Sequence, residues 1–225
     1  MSAAAAPVEP SRDCPLCPRL AEFRARWRAA QPDWHNAPVP SFGAAGGRLL
    51  VVGLAPGLRG ANRTGRPFTG DWAGDLLYPT LVRHGLAAGT FGARPDDGLA
   101  LVDCRITNAV RCVPPENKPT PAEVKACRSF LAGEIAAIAP GGGMLALGRI
   151  AHDAILGTLA VRKADHPFAH GRVHELPGGR WLADSYHSSR YNTNTGRLTP
   201  EMFDTVVAMV AARIDAVREA GRPAP

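Results

Sequence analysis

The sequence contains no apolar run long enough to cross a membrane, and its first residues do not have the pattern of an export signal. Nowhere do about eighteen apolar residues follow one another. The segment 1–10 lacks the basic start and the long apolar stretch of a signal peptide. Only five cysteines are present, and an odd number without an export signal favours a metal site over a framework of disulfides. We therefore expect a cytoplasmic protein with no membrane contact.

Internal repeats are also absent, and the composition is typical of one globular domain. Of the 225 residues, 45% are hydrophobic and 20% are charged, which is enough to bury one core. Lys and Arg outnumber Asp and Glu by 26 to 20, and the formal net charge of +6 suits a polyanionic partner. We expect a disordered lead over 1–12, one domain over 13–221 and a loose tail over 222–225.

The order of the hydrophobic segments predicts an α/β fold. Short apolar runs alternate with longer stretches that have helical spacing, and this alternation is typical of a mostly parallel sheet covered on both faces. In such sheets a ligand binds beyond the carboxyl ends of the strands. The predicted strands are 48–53, 99–108, 144–147 and 181–186, and the predicted helices are 73–84, 121–139, 148–159 and 200–220.

Four of the five cysteines have the spacing of a metal site. Cys14 and Cys17 are separated by two residues, so both sulfurs can face one metal, whereas Cys112 and Cys127 are fourteen residues apart. Four thiolates suit one zinc ion or one iron–sulfur cluster, and the spacing does not choose between them. The alternative is that Cys127 packs in the core, the role that we assign to Cys104.

Two segments that follow predicted strands suit a nucleotide. The loop 53–71 contains glycines that allow close backbone approach, and its aromatic residue, Phe68, can stack on a base. His187 follows the last predicted strand and precedes a run of small polar residues. Asn108 ends the second strand and can read the edge of a pyrimidine, because its amide both donates and accepts. The alternatives are a Gly/Pro-rich turn with Phe68 in the core, a structural histidine and an asparagine that satisfies a turn.

Four motifs together resemble those of a known family. They are GLAPG over 53–57, GANRTGRPFTGD over 60–71, TNAVRC over 107–112 and HSSRYNTNTGRLT over 187–199. The set is similar to the type-5 (B-type) branch of the iron–sulfur uracil-DNA glycosylases and extends over nearly the whole chain. The resemblance implies a three-layer α/β/α sandwich with a central four-stranded, mostly parallel sheet. It also implies a [4Fe–4S] cluster whose ligands are Cys14, Cys17, Cys112 and Cys127.

The resemblance implies that the enzyme flips uracil out of DNA and hydrolyses its N-glycosidic bond, which starts base excision repair. Gly53, Ala55, Phe68, Asn108 and His187 would bind the base, with Asn108 on its edge and His187 near O2. Leu54 and Ala55 are apolar where some relatives place a polar water-binding group. Asp71 is therefore our candidate for orienting water, and its alternative role is to cap the next helix.

One branch of the family carries an Arg-rich loop that ends in histidine and forms a covalent bond to DNA through that histidine. This chain does not have the loop, so we expect no covalent adduct. Arg190 or Tyr191 would fill the gap that the flipped base leaves. Five arginines are predicted to contact phosphates, and the alternative is a solvated basic face: Arg59, Arg63, Arg66, Arg190 and Arg197.

Two other functions stay open at this stage. One is a glycosylase of the same fold that prefers hypoxanthine or xanthine, and the other is a non-catalytic iron–sulfur protein that only binds nucleic acid. The expected partner is double-stranded DNA with a deaminated base, and single-stranded DNA is an open alternative. We expect a monomer associated with the nucleoid.

Overall fold

A computed structural model describes residues 7–220, and a twisted parallel sheet forms its centre. The strands are β1 (Leu49–Gly53), β2 (Ala87–Ala88), β3 (Ala100–Leu101), β4 (Cys104–Asn108), β5 (Gly143–Leu147), β6 (Val173–Leu176) and β7 (Arg180–Ser185). The helices are α1 (Pro18–Ala30), α2 (Ala61–Thr64), α3 (Trp72–Arg83), α4 (Pro121–Ala126), α5 (Arg128–Ala136), α6 (Arg149–Thr158), α7 (Arg190–Asn194) and α8 (Pro200–Ala220).

The main sheet has the strand order β4-β1-β5-β7-β6. The first four strands are parallel, and β6 adds to the edge of β7 in antiparallel orientation. The predicted four-stranded sheet is thus confirmed in its parallel part, and the structure adds a fifth strand. The predicted strand over 99–108 is two strands, because β3 forms a separate two-stranded sheet with β2.

Successive residues of each central strand face opposite layers, which makes the molecule a three-layer sandwich. In β1, Leu49 and Val51 pack with one core cluster, which contains residues of α3 and α8. Leu50 and Val52 pack with the other cluster, which contains residues of α5 and α6. Because both faces are covered, every residue of β1 is buried, as expected for a parallel strand that reads as a continuous apolar run.

The segment predicted as one helix over 121–139 is interrupted at Cys127. Thr120 begins α4 with a capping box, in which its hydroxyl accepts from the Glu123 backbone and the Glu123 carboxylate accepts from the Thr120 backbone. Cys127 then ends α4 and precedes α5. The interruption places this cysteine at a corner of the chain, where its sulfur accepts a hydrogen bond from the backbone of Arg111.

The disordered lead predicted over 1–12 needs correction within the described residues. The Glu9 carboxylate contacts the guanidinium groups of Arg105 and Arg111, and it accepts from the Ser41 backbone. These contacts hold the segment against β4, so at least Glu9 is part of the domain. Residues 1–6 and the tail over 222–225 lie outside the described residues. Within 7–220, no helix combines the length and apolar character that a bilayer span requires.

Candidate active site at the carboxyl ends of the strands

Strands β1, β4, β5 and β7 end at the same edge of the sheet, and residues after each of them meet there. Gly53 at the end of β1 lies directly opposite Asn108 at the end of β4. Leu147 at the end of β5 lies opposite Ser185, which is two residues before His187. Five predicted site residues line one small chamber of about 30 Å³, namely Ala55, Phe68, Asp71, Asn108 and His187.

Gly53 forms the floor against which two of these side chains pack. A Cβ atom at this position would collide with Oδ1 of Asn108 and with the ring of Phe68. Only glycine therefore allows the amide and the ring to lie together over the end of β1. Ala55 lines the chamber as well. The two predicted residues at the end of β1, Gly53 and Ala55, thus lie beside the other predicted base-binding residues.

Phe68 is held in an unusual backbone conformation. Its φ is +52°, in the left-handed region that residues with a large side chain rarely adopt. The hydroxyl of Tyr78 donates to the preceding carbonyl, that of Pro67, over 2.6 Å and anchors the segment. The Phe68 ring is 6% exposed, and its centroid lies 5.9 Å from that of His187. The ring is buried, yet it forms a wall of the chamber.

His187 has a ring nitrogen with no partner. Its Nδ1 atom is enclosed and makes no hydrogen bond with the described residues, although part of the residue faces the wider groove. Burial lowers the pKa of His187 from its ordinary 6.5 to about 4, so the ring is neutral at neutral pH. The side-chain amide of Asn192 donates to the His187 carbonyl over 2.8 Å and fixes the backbone.

The two carboxylate oxygens of Asp71 have different surroundings. Its Oδ1 accepts from the Ala73 backbone over 3.2 Å, which caps α3. Its Oδ2 faces Gly57 and Gly60, where a Cβ at Gly57 would come within 3.0 Å. Among the described residues no cation pairs with this carboxylate, and burial raises its pKa above the ordinary 3.8. The carboxylate therefore lies at the chamber wall without a compensating cation among residues 7–220.

A wider groove of about 780 Å³ adjoins the chamber. Ala55, Asp71 and His187 line both spaces, so the two are contiguous. The sequence did not indicate one wall of this groove, which comes from the end of β5. Gly148 lies there with a φ of +97°. A Cβ atom added to it would come within 3.5 Å of the Cβ of His187. This wall could have been predicted, because β5 is parallel to β1 and therefore ends at the same edge of the sheet.

Of the five predicted phosphate contacts, four are exposed. Arg59 and Arg190 line the groove, and Arg63 and Arg197 are exposed elsewhere in the same two loops. Arg66 is different: it is 4% exposed and forms a two-pronged ion pair with Asp97 at 2.8 and 2.6 Å. Its guanidinium is enclosed by aromatic rings, so in this structure it braces the loop and is not exposed to a phosphate.

The four candidate ligand cysteines lie in one region of the molecule. Cys17 caps α1 and packs against Cys112, which follows β4. The pKa of Cys112 is raised to about 11 and that of Cys127 to about 12, chiefly by burial and also by the neighbouring cysteines. Cys104 is buried inside β4, as predicted, and burial raises its pKa strongly.

A buried arginine beside these thiols has an unsatisfied donor. Arg24 is 3% exposed, and it donates to the Cys112 sulfur over 3.1 Å and to the Cys14 carbonyl over 3.0 Å. Its Nε is enclosed and has no hydrogen-bond partner among residues 7–220. A buried cation beside neutral thiols is poorly compensated, whereas thiolates on a metal group would balance its charge. The donor set therefore fits a metal group with thiolate ligands.

The cysteine sulfurs do not have the spacing of a shell around one ion. Within 7–220, one group of three side chains has all its ligand atoms within 4.8 Å, and it consists of His152, His174 and Asp184. Sulfurs around one zinc would be about 3.8 Å apart, from a bond length of about 2.3 Å and tetrahedral geometry. Within 7–220, no three of the cysteine sulfurs meet this spacing. The two histidines instead bond the Asp184 carboxylate directly, at 2.7 and 3.1 Å.

Comparisons with known proteins give consistent similarities. Residues 40–211 match the family model described as "Uracil DNA glycosylase superfamily". A "Type-5 uracil-DNA glycosylase" of Thermus thermophilus is 49% identical over 207 residues, covering 89% of this chain and 93% of the relative. The protein of the same description from Pyrobaculum aerophilum is 41% identical, over 89% and 88% of the two chains. A "Type-4 uracil-DNA glycosylase" of Archaeoglobus fulgidus is 33% identical over 64% of this chain.

Proposed function

Because the chain belongs to the uracil DNA glycosylase superfamily, we propose that it removes uracil from DNA by hydrolysing the N-glycosidic bond. The observation that carries the proposal is the meeting of Phe68, Asn108 and His187 around one chamber that opens into a groove with basic side chains. The product would be free uracil and an abasic site, the first intermediate of base excision repair.

The chamber suits a base that has left the helix. Flipping costs a few kcal/mol and costs least for a mispaired base, such as uracil opposite guanine. At about 30 Å³ the chamber holds about one water, so a base must separate its walls as it enters from the groove. Phe68 offers a ring for stacking, and the backbone after Gly53 can approach the base closely because no side chain intervenes.

Asn108 and His187 supply the polar contacts. The Asn108 side chain makes no hydrogen bond with other described residues and is 5% exposed, so its amide is free to pair with O4 and N3–H of uracil. The neutral ring of His187 lines the chamber and would donate to O2 from a ring nitrogen. Negative charge grows on O2 as the base leaves, and a fixed donor stabilises it most in the transition state.

The bond that breaks joins N1 of uracil to C1′ of the sugar, and its electron pair leaves with the base. The sugar becomes oxocarbenium-like, and a water oxygen then bonds to C1′. Asp71 would orient this water and accept its proton, which its raised pKa favours. The apolar Leu54 and Ala55 beside it offer no competing base.

The exposed arginines would hold the phosphates, and Tyr191 would fill the gap in the helix. Arg190 lies over the ring of Trp72, whereas Tyr191 is 71% exposed at the rim of the groove. Tyr191 is therefore free to enter the base stack. The proposal includes a single-domain monomer that acts on double-stranded DNA at the nucleoid.

We further propose that Cys14, Cys17, Cys112 and Cys127 hold a [4Fe–4S] cluster. The nearness of the four thiols to one another and the enclosed Nε of Arg24 support it. A bound cluster would supply cross-links between α1, the end of β4 and the α4–α5 corner. Cys112 follows Asn108 by four residues, so this brace would also fix the base-reading amide.

The test of the function is incubation with a labelled duplex that contains one uracil opposite guanine, followed by alkali to cleave abasic sites. We expect cleavage by the native protein, and losses of at least about 10²-fold in Asn108→Ala and His187→Ala. A parallel duplex with hypoxanthine tests the alternative specificity. Retention on the uracil duplex without any abasic product would overturn the proposal in favour of a binding protein.

The cluster has a separate test that does not use activity. Protein purified without oxygen should contain about four irons and four sulfides per chain and show the broad visible absorption of such clusters. Cys112→Ser should lower both, whereas Cys104→Ser should leave both unchanged because Cys104 lies inside β4. One zinc per chain in place of iron would contradict this assignment.

A further inference from the structure

The rim of the groove carries an unusual concentration of exposed apolar side chains. Six large hydrophobic residues within 7–220 are exposed, and three of them, Trp72, Ile150 and Tyr191, line this one groove. Both exposed aromatic residues of the described chain are among them. A contiguous exposed apolar patch with a polar rim commonly marks a binding site, whereas single exposed apolar residues do not.

Trp72 is held in place although it is 45% exposed. Its indole Nε1–H donates to Oγ1 of Thr193 over 2.9 Å, which links the start of α3 to α7 across the groove. The guanidinium carbon of Arg190 lies 5.3 Å from the ring centroid. Because these contacts already fix the ring, a ligand that stacks on it has little side-chain entropy to overcome.

The charges of the groove identify the chemistry of its occupant. Three arginines line it, namely Arg59, Arg149 and Arg190, against the single carboxylate of Asp71. An occupant with negative charge and flat apolar faces fits this lining. Unpaired nucleotides have both properties, and every base can stack on an aromatic ring whatever its sequence. Trp72 directly follows Asp71 in the chain, so the ring stands next to the chamber.

We propose that Trp72 is a stacking platform for an unpaired nucleobase beside the one in the chamber, and that it makes single-stranded DNA a substrate. In a duplex the neighbouring bases are already paired and stacked, so they gain little from a new aromatic surface. In a single strand the neighbouring base is free to move onto the indole. This inference rests on the proposed function for its catalytic consequence, but DNA binding at Trp72 does not require excision.

Binding is tested first, with a short single-stranded oligothymidylate that contains no uracil. Quenching of tryptophan fluorescence by the oligonucleotide reports on Trp72, because Trp181 is buried and because Trp27, Trp34 and Trp181 are all retained in the Trp72 variants. We expect the oligonucleotide to quench the native protein. Trp72→Leu should weaken binding about 10-fold, since one stacked base contributes on the order of that factor. Trp72→Phe should keep most of the binding and lose most of the quenching.

Excision is then compared on the same uracil-containing strand, alone and in a duplex. We expect Trp72→Leu to lower kcat/KM about 10-fold on the single strand and clearly less on the duplex. Val102→Ala, which removes an exposed apolar side chain outside the groove, should change neither. Equal losses on both substrates, or unchanged oligonucleotide binding in Trp72→Leu, would overturn the platform. Weakened binding without excision by the native protein would instead overturn the proposed function.

Discussion

At the scale of single residues, Asp71 offers a way to separate a structural role from the proposed catalytic one. One oxygen caps α3 through Ala73, and the other faces the glycines of the β1 loop. We predict that Asp71→Asn lowers kcat by about 10²-fold or more while the free energy of unfolding changes by less than about 0.5 kcal/mol, because asparagine caps helices as well as aspartate does. Alkali cleavage assays and denaturant unfolding measure the two effects.

The matched variant is Asp71→Ala, which loses the cap as well and should be less stable by about 1 kcal/mol. The native kcat should also fall as the pH drops through the raised pKa of Asp71, because only the carboxylate accepts a proton. Residual activity of Asp71→Asn should lack this acidic limb. A native-like kcat in Asp71→Asn would show that the residue only caps the helix.

His187 makes a prediction about stability and pH. The unfolded residue takes up a proton near its ordinary 6.5, whereas the folded ring has a pKa of about 4. Between these values the unfolded state binds more protons, so the free energy of unfolding falls as the pH falls through this window and is unaffected above it. His187→Gln removes this contribution. Between about pH 7 and pH 4.5 the variant should lose about 2 kcal/mol less than the native protein.

Urea unfolding at the two pH values measures this difference. The comparison is internal, because all other titrating groups are the same in both proteins. Parallel losses of stability in the native protein and in His187→Gln would contradict the burial of the ring.

At the scale of elements, the end of β1 sets the shape of the chamber. We predict that Gly53→Ala destabilises the protein by about 1–3 kcal/mol and abolishes excision, because the new methyl group displaces Asn108 and Phe68. Gly133→Ala is the control. Gly133 lies inside α5, and a Cβ there comes no closer than 3.8 Å to another residue, so alanine should stabilise by up to about 1 kcal/mol. Equal, small effects of the two changes on activity would contradict the proposed packing.

The elements that could be predicted from the sequence are those with a strong local pattern. The apolar run of β1 and the capping sequence at Thr120 indicate a buried strand and a helix start without further information. Strand β6 was missed because its sequence, Val-His-Glu-Leu over 173–176, is short and needs the edge of β7 to form. The break between α4 and α5 at Cys127 could not be predicted either, because the segment 124–130 contains no glycine or proline.

At the scale of the whole molecule, the meeting of Phe68, Asn108 and His187 could be foreseen because parallel strands deliver their carboxyl ends to one edge. The roles of the arginines could not be foreseen in the same way. Arg66 pairs with Asp97, thirty-one residues away, and no local pattern distinguishes it from the exposed Arg63. The groove rim at Trp72 depends on the distant Thr193 for the same reason.

The chamber residues come from positions spread between 55 and 187, and β7 must dock beside β5 before His187 can join the others. Ribosomes deliver the amino-terminal half first, and domains complete their folding as units. A nascent chain that ends before β7 therefore contains Phe68, Asp71 and Asn108 but lacks His187, the proposed hydrogen-bond donor to the departing base. We therefore expect chains of this protein that terminate before β7 to excise no base from DNA.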